Sequence, residues 1–439
     1  MTKKVGLTTL GCRVNQYESD YFAERFKAAG FEIVGLEPGC DIYLVNTCTV
    51  TAESDRKCRQ AIRRAAALAG DERKKGRRCI AAAAGCYVQG ALRPTLEAMK
   101  GIDFFCGNAG KASLPDRLMS MLESGKAEGY AVSPISSVRG YEETGISESE
   151  HVRAYVKIED GCDSFCSYCY VPFVRGRVRS RPEADTLAEV GRLAANGYKE
   201  IVLTGIEVGA YGVDSGEKNS LCRIAEKISK ISGVERIRFG SLNPSLITRE
   251  FVSSLVLNDK IMPHFHLSVQ SGSSRVLESM RRGYDKARIL EAFALIRSFY
   301  TNAAISADII CGFPGETDGD FHDTYEVCEK GQLLNAHIFP YSPRRNTAAA
   351  AMDGQIPAEI KKARCDELAA LHSETRKRFV NSQTGENARM LIEKLSEGKS
   401  FGHTENYIYV SLPRQNRDTV GEIREFIFDP DYVINPAIK

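Results

Sequence analysis

No apolar stretch of this 439-residue chain approaches the roughly 18–20 residues that a helix needs to cross a bilayer. The opening segment, Met1 to Cys12, lacks the apolar core of a signal peptide. Net charge is only +2, too small to announce a nucleic-acid partner, so any such case must rest on local patches. Internal repeats and low-complexity tracts are absent as well. These absences lead us to expect a cytoplasmic protein with no membrane partner. A hydrophobic content of 43% and a charged content of 26% fit ordinary globular domains, and the length implies two or three of them.

What the chain does hold is cysteine, 14 in all. Cytosolic thiols stay reduced, so a disulfide framework is the wrong reading, and metal binding or catalysis is the better one for cysteines at ligand spacing. Cys162, Cys166 and Cys169 stand in a C-x3-C-x2-C loop directly after an expected strand. Random placement of 14 cysteines would give roughly 0.014 such matches in the chain. Thiolates are the soft ligands of iron–sulfur clusters, and one short loop can wrap three of them around a cube face. Structural zinc wants four ligands, usually in paired C-x2-C knuckles, and fits less well. Three cysteines leave one iron of a four-iron cube open to a small molecule, whereas ferredoxin-type carriers use four. The spacing therefore favours an enzyme over an electron carrier.

The chain reads as α/β over most of its length. Val5–Leu10, Ile42–Val45 and Ile80–Ala84 are buried-strand runs, with helical spacing over Asn15–Ala29 and Ser54–Ala69 between them. This predicts an N-terminal doubly wound parallel α/β domain over 1–130. Cys12, Cys48 and Cys86 each follow one of those strands, so they converge if sites form at the carboxyl ends of strands. Residues 131–150 are polar, without sustained period, and read as a linker. Over 151–385, six strand–helix units predict a partial (β/α)6 barrel: Ala154–Ile158, Ile201–Thr204, Ile237–Phe239, His266–Val269, Ile305–Ile310 and His337–Tyr341 are its strands. Pro357–Gln383 reads as one long charged helix, and 386–439 as a small all-β domain.

The C-x3-C-x2-C loop on the first strand of a six-unit barrel resembles the radical S-adenosylmethionine superfamily. Thr9-Leu10-Gly11-Cys12-Arg13-Val14-Asn15, Asn46-Thr47-Cys48-Thr49-Val50-Thr51 and Gly85-Cys86-Tyr87 narrow the resemblance to its methylthiotransferases. The likeness runs from Lys4 to about residue 410. It implies two [4Fe–4S] clusters, one on Cys162, Cys166 and Cys169 and a second on Cys12, Cys48 and Cys86. It also implies S-adenosylmethionine as cofactor and an external flavodoxin- or ferredoxin-like electron donor. Tyr168, Thr204, Gly205, Ser241, Asn243, Gln270, Ser271, Asp308 and Gly312 fall in segments that hold the cofactor in that family. Beyond the cluster ligands no catalytic side chain is assigned. Ser268, Asn243 and Asn346 depart from the family pattern, where proline, an acidic residue and glycine are usual. The terminal β-domain resembles the TRAM RNA-binding module through His403-Thr404-Glu405-Asn406-Tyr407-Ile408, and looks short after Ser411.

The segment T-L-G-C-[KR]-V-N resembles the branch acting on N6-threonylcarbamoyladenosine beside the tRNA anticodon, rather than the isopentenyladenosine branch. By that likeness one S-adenosylmethionine supplies methyl to a sulfur held at the N-terminal cluster. A second yields a 5′-deoxyadenosyl radical that takes hydrogen from adenine C2, where sulfur then adds. The tRNA anticodon stem-loop is the expected partner, and Arg175, Arg177, Arg179 and Arg181 are the expected phosphate contacts. Two rivals stay open: the same chemistry on a ribosomal-protein aspartate, and a non-catalytic iron–sulfur protein that binds RNA or carries electrons.

Overall fold

The computed structural model describes residues 2–126 and 129–434. Six parallel strands form the first sheet: β1 (Lys4–Thr9), β2 (Glu32–Val34), β3 (Ile42–Thr47), β4 (Ile80–Gly85), β5 (Phe104–Cys106) and β6 (Gly129–Ala131), in the order β2-β1-β3-β4-β5-β6. Alternate residues of a strand face opposite ways, so a sheet covered on both faces must be apolar throughout. All six residues of β3 and of β4 are buried. Tyr43, Val45, Ala81 and Ala83 pack with Cys58 and Ile62 of the helix Ala52–Lys74. Ile42, Leu44, Ala82 and Ala84 pack instead with Phe22, Phe26, Leu114 and Leu118 from two helices on the other face. The doubly wound expectation holds, with three more strands than the apolar runs disclosed. Those three are only three residues long, too short for a hydrophobic period.

The segment after β6 is more tightly held than a polar linker suggests. Ile135 and Ile146 are buried, and Glu143 pairs with the buried Arg181.

The second unit begins with β7 (Ala154–Lys157), followed by a short antiparallel ribbon of β8 (Glu159–Asp160) and β9 (Arg179–Ser180). The cysteine loop lies between the two ribbon strands. Then come β10 (Glu200–Thr204), β11 (Arg236–Phe239), β12 (His264–Gln270), β13 (Ala304–Cys311) and β14 (Asn335–Pro340). They form two parallel sheets, β7-β10-β11 and β12-β13-β14. Bridges at Ile237/Ile261 and Leu242/Leu267 join the halves into one curved partial barrel. Ser268 tightens that seam: its backbone N–H donates to Leu242 O at 2.9 Å, a bond a proline could not make. Asn346 adopts φ +64°, which explains how it replaces a glycine, since Asn tolerates the left-handed region.

The helix Ala358–Asn381 leads to β15 (Asn387–Ser396), β16 (Lys399–Thr404), β17 (Tyr409–Pro413) and β18 (Ile423–Ile427), an open antiparallel sheet ordered β17-β16-β15-β18. It caps the amino-terminal end of the barrel. Arg236 and Arg238 donate to the carbonyls of Arg389, Thr404 and Glu405 at 2.7–2.9 Å, and Tyr407 stacks on His264 at 4.4 Å. Part of the sheet expected to face RNA is thus spent on holding the barrel. Among the described residues no helix is long and apolar enough to cross a membrane.

Candidate functional site

The two cysteine triads are built differently. Cys12, Cys48 and Cys86 come from the carboxyl ends of β1, β3 and β4, which are neighbours in the parallel sheet. Their approach depends on the residue before Cys12. Gly11 has φ +115°, and a Cβ there would meet Cys48 Cβ at 2.6 Å. Burial pushes the Cys48 thiol up to about 12, with Cys86 and Cys12 adding to the effect. Cys12 is exposed at the cavity wall, yet desolvation of its thiol raises it, with Arg175 opposing and Cys86 reinforcing. Cys58 donates its thiol to Cys48 O at 3.1 Å, so its role is to brace the loop.

Cys162, Cys166 and Cys169 sit on one loop, closed by the β8–β9 ribbon. Gly161 (φ +87°) permits the turn, since a Cβ there would lie 1.9 Å from Arg177 O. Burial pushes the Cys169 thiol up to about 12, with Cys166 and Cys162 contributing.

A cavity of about 400 Å³ joins the two triads. Cys12 and Cys86 line it on one side and Cys169 on the other, with Tyr168, Gln270, Asp308 and Phe339 among the remaining walls. Of the residues expected to hold the cofactor, Tyr168, Gln270 and Asp308 therefore reach the cavity. Thr204, Gly205 and Ser241 lie by the neighbouring strand ends instead. The buried Ser241 Oγ has no partner, as a hydroxyl facing a ligand would. Asn243 is occupied in its own turn, accepting from Ser245 N at 3.0 Å. Ser271 is fully buried against Thr324, and Gly312 serves a turn in which its N–H donates to Glu316 Oε1 at 2.9 Å.

Each triad also carries one arginine donor that sequence reasoning did not assign to it. Arg175 Nε lies 3.2 Å from Cys86 Sγ, and Arg282 Nη1 lies 3.3 Å from Cys166 Sγ. Arg175 is 1% exposed, with Nη1 2.6 Å from Glu18 and Nη2 2.6 Å from Asn15, and it also reaches Asp160 at 3.2 Å. Arg282 is fixed by donation to Tyr284 Oη at 2.8 Å and Ser268 O at 2.9 Å. Ligand sulfurs that each accept from a guanidinium fit an iron–sulfur cluster, whose sulfurs carry negative charge. The spacing of Arg175 pointed only to a basic patch, and Arg282 stood in an unremarked Arg281-Arg282 pair.

The phosphate role expected for the 175–181 arginines is corrected for three of the four. Arg175 is engaged as above. Arg179 donates to the carbonyls of Arg175 and Arg177 at 2.9 and 2.7 Å, and Arg181, 1% exposed, pairs with Glu143 and Glu189. All three guanidiniums are buried among carboxylates and carbonyls, out of reach of a backbone phosphate at the surface. Arg177 alone is turned to solvent, its side chain 64% exposed. Period-free charge on a short loop does not reveal which way each side chain points.

Two unpartnered carboxylate atoms near the cysteine loop were also missed. Glu159 Oε1 and Glu207 Oε1 are buried without hydrogen bonds, and burial raises both carboxyls. Neither residue belongs to a motif of its own, so no signal in the sequence singles them out.

Comparison with known proteins agrees with this geometry. Residues 156–328 match the Radical SAM superfamily and residues 4–107 match the uncharacterized protein family UPF0004. The chain is similar to the threonylcarbamoyladenosine tRNA methylthiotransferase MtaB of Aquifex aeolicus, 36% identical over 96% of this chain and 98% of the relative. It is also similar to MtaB of Bacillus subtilis, 34% identical over 95% and 92%. A tRNA-2-methylthio-N(6)-dimethylallyladenosine synthase of Pelotomaculum thermopropionicum is 31% identical over 92% and 90%. Among solved structures, the radical S-adenosylmethionine methyltransferase TsrM of Kitasatospora setae shares the fold, with a TM-score of 0.56 at 15% identity over 77% of this chain and 75% of that one. A strand-end cysteine triad, a C-x3-C-x2-C barrel loop and full-length relatives at this identity lead to one conclusion: the chain belongs to the radical S-adenosylmethionine methylthiotransferase family.

Proposed function

We propose that the protein converts N6-threonylcarbamoyladenosine, next to the anticodon at tRNA position 37, to its 2-methylthio derivative. The observation that carries this reading is the single cavity touched by Cys12 and Cys86 from one triad and by Cys169 from the other. Sulfur insertion at an unactivated carbon needs a radical source and a sulfur donor within reach of the same atom, and a shared cavity supplies that proximity. Relatives named for the threonylcarbamoyl substrate match over nearly the whole chain.

In this reading Cys162, Cys166 and Cys169 hold the cluster that binds S-adenosylmethionine, and Cys12, Cys48 and Cys86 hold the second. When bound, S-adenosylmethionine at the barrel cluster supplies the 5′-deoxyadenosyl radical, and the second cluster carries the sulfur. The chain's own residues do the positioning. Arg282 and Arg175 orient one ligand sulfur each. Tyr168, Gln270 and Ser241 face the cofactor, and Phe339 offers an aromatic face on which an extruded base can stack. Burial of Cys48 and Cys86 shields two of the three ligand sulfurs from water. Arg177 meets backbone phosphate at the mouth. The working location is the cytoplasm, and an external flavodoxin- or ferredoxin-like protein delivers electrons. Functional units over 1–130, 151–385 and 386–439 follow from the same reading.

Nucleoside analysis of tRNA tests the substrate. A strain lacking this protein should accumulate unmethylthiolated threonylcarbamoyladenosine. An unchanged methylthio signal removes the assignment.

A further inference from the structure

One cluster of titratable groups in the barrel is not accounted for by either cysteine triad. His266 of β12, Asp308 of β13 and His337 of β14 bring their ligand atoms within 4.8 Å of one another. His266 Nε2 lies 3.0 Å from Asp308 Oδ2, and His337 Nδ1 lies 3.1 Å from Asp308 Oδ1. The carboxylate is thus gripped at each oxygen by a different imidazole. Burial opposes its ionisation, but hydrogen bonds from His266 and His337 outweigh this and hold the carboxyl well below the usual range. Asp308 lines the cavity between the triads. The His337 side chain is 54% exposed, and Phe339, two residues along the same strand, lines the cavity and reaches solvent. His337 is the register partner of Asp308 across β13 and β14, and Phe339 shares its strand face, so the three make a wall between cavity and surface.

We propose that Asp308, which the family resemblance assigns to the cofactor, instead joins His266 and His337 in the subsite that reads the polar N6 substituent of the target adenosine. The inference rests on the substrate reading above and deepens it. A threonylcarbamoyl group presents ureido N–H donors, a hydroxyl and a carboxylate. Asp308 has acceptor positions left after its two imidazole bonds and takes the ureido N–H groups. Each imidazole spends its N–H on Asp308, so its second ring nitrogen is an acceptor and takes the threonyl hydroxyl. Phe339 covers the base edge of the same wall. An apolar prenyl substituent at this place would cover the remaining acceptor positions of Asp308 without pairing them, the arrangement by which polar sites reject analogues most strongly.

The test uses the complete protein, anaerobically reconstituted, and two synthetic anticodon stem-loops, one bearing N6-threonylcarbamoyladenosine and the other N6-isopentenyladenosine. Equilibrium binding by fluorescence anisotropy and single-turnover methylthiolation are measured for the wild type, His337→Phe and His337→Gln. The wild type should prefer the threonylcarbamoyl loop in both assays. His337→Phe should lower that preference at least about tenfold, and His337→Gln, which keeps an N–H donor, should retain most of it. A preference unchanged by His337→Phe overturns the subsite while leaving the substrate reading intact. A wild type inactive on the threonylcarbamoyl loop overturns both. Stoichiometric zinc binding that His337→Phe removes overturns the subsite in favour of a divalent-cation site, since two imidazoles and a carboxylate are also a metal-donor set.

Discussion

The two cysteine triads do related work from opposite kinds of architecture. One is a single loop, 162–169, whose geometry is set locally by Gly161 and the β8–β9 ribbon. The other is assembled from three strand ends and exists only because β1, β3 and β4 are adjacent in a parallel sheet. The assembled triad depends on the whole N-terminal fold and, through Arg175, on the barrel. Arg175 belongs to the barrel side yet donates to Cys86 and to Glu18 of the N-terminal side. A guanidinium in this position ties cluster site and domain interface into one unit.

Substitutions can break that comparison, beginning with the most severe. Cys169→Ala should abolish both 5′-deoxyadenosine and methylthiolated product, because the loop triad has no spare ligand; chromatography of an anaerobic reaction checks it. Arg175→Ala should come next. Removing one partner from a buried ion network costs about 3–5 kcal/mol, so the midpoint of chemical denaturation should fall steeply, whereas exposed Arg177→Ala should leave it unchanged. Acid should act on the same network. Burial alone would raise Glu18, but Arg175, Lys111 and Lys157 hold it down at about 2. A carboxylate depressed in the folded state stabilises above its ordinary value and loses that stabilisation as pH falls toward 2. Wild-type stability should therefore drop between about pH 4.5 and 2, and Arg175→Ala should flatten that slope in an acid titration followed by circular dichroism.

How much of this was visible in the sequence follows the same division. Apolar runs located all six barrel strands, since buried strands print as apolar segments, and the helix after Pro357 was legible as one long charged stretch. The loop triad was equally plain from spacing. The assembled triad was legible from the position of each cysteine after a predicted strand and from its flanking motifs, whereas the adjacency of β1, β3 and β4 is a property of strand order that the sequence does not print. Strands of three residues left no period. Side-chain direction was the largest loss. Arg175, Arg179 and Arg181 read as a basic patch, but their buried partners Glu18, Asp160 and Glu189 lie far away or are hidden in other elements. The His266–Asp308–His337 cluster spans three strands and was likewise invisible, although His266 and Asp308 each stood in a segment that the family resemblance singles out.

Two smaller effects sharpen the comparison. Arg175→Lys should shift the reduction potential of the N-terminal cluster and Arg282→Lys that of the loop cluster, each leaving the other in place, since hydrogen bonds to ligand sulfur tune cluster potentials. Redox titration followed by electron paramagnetic resonance separates the two signals, and joint movement would show that the arginines act through the fold rather than through sulfur. Smallest of all, Arg177→Ala should weaken stem-loop binding a few-fold and reduce the salt slope of affinity by about one.

The most direct test of two separate sites serving one cavity is the anaerobically prepared variant with Cys12, Cys48 and Cys86 all replaced by Ala. It should hold about four irons in place of about eight, still produce 5′-deoxyadenosine, and form no methylthio product. Retention of methylthiolation, or loss of all iron together with 5′-deoxyadenosine, would contradict the account.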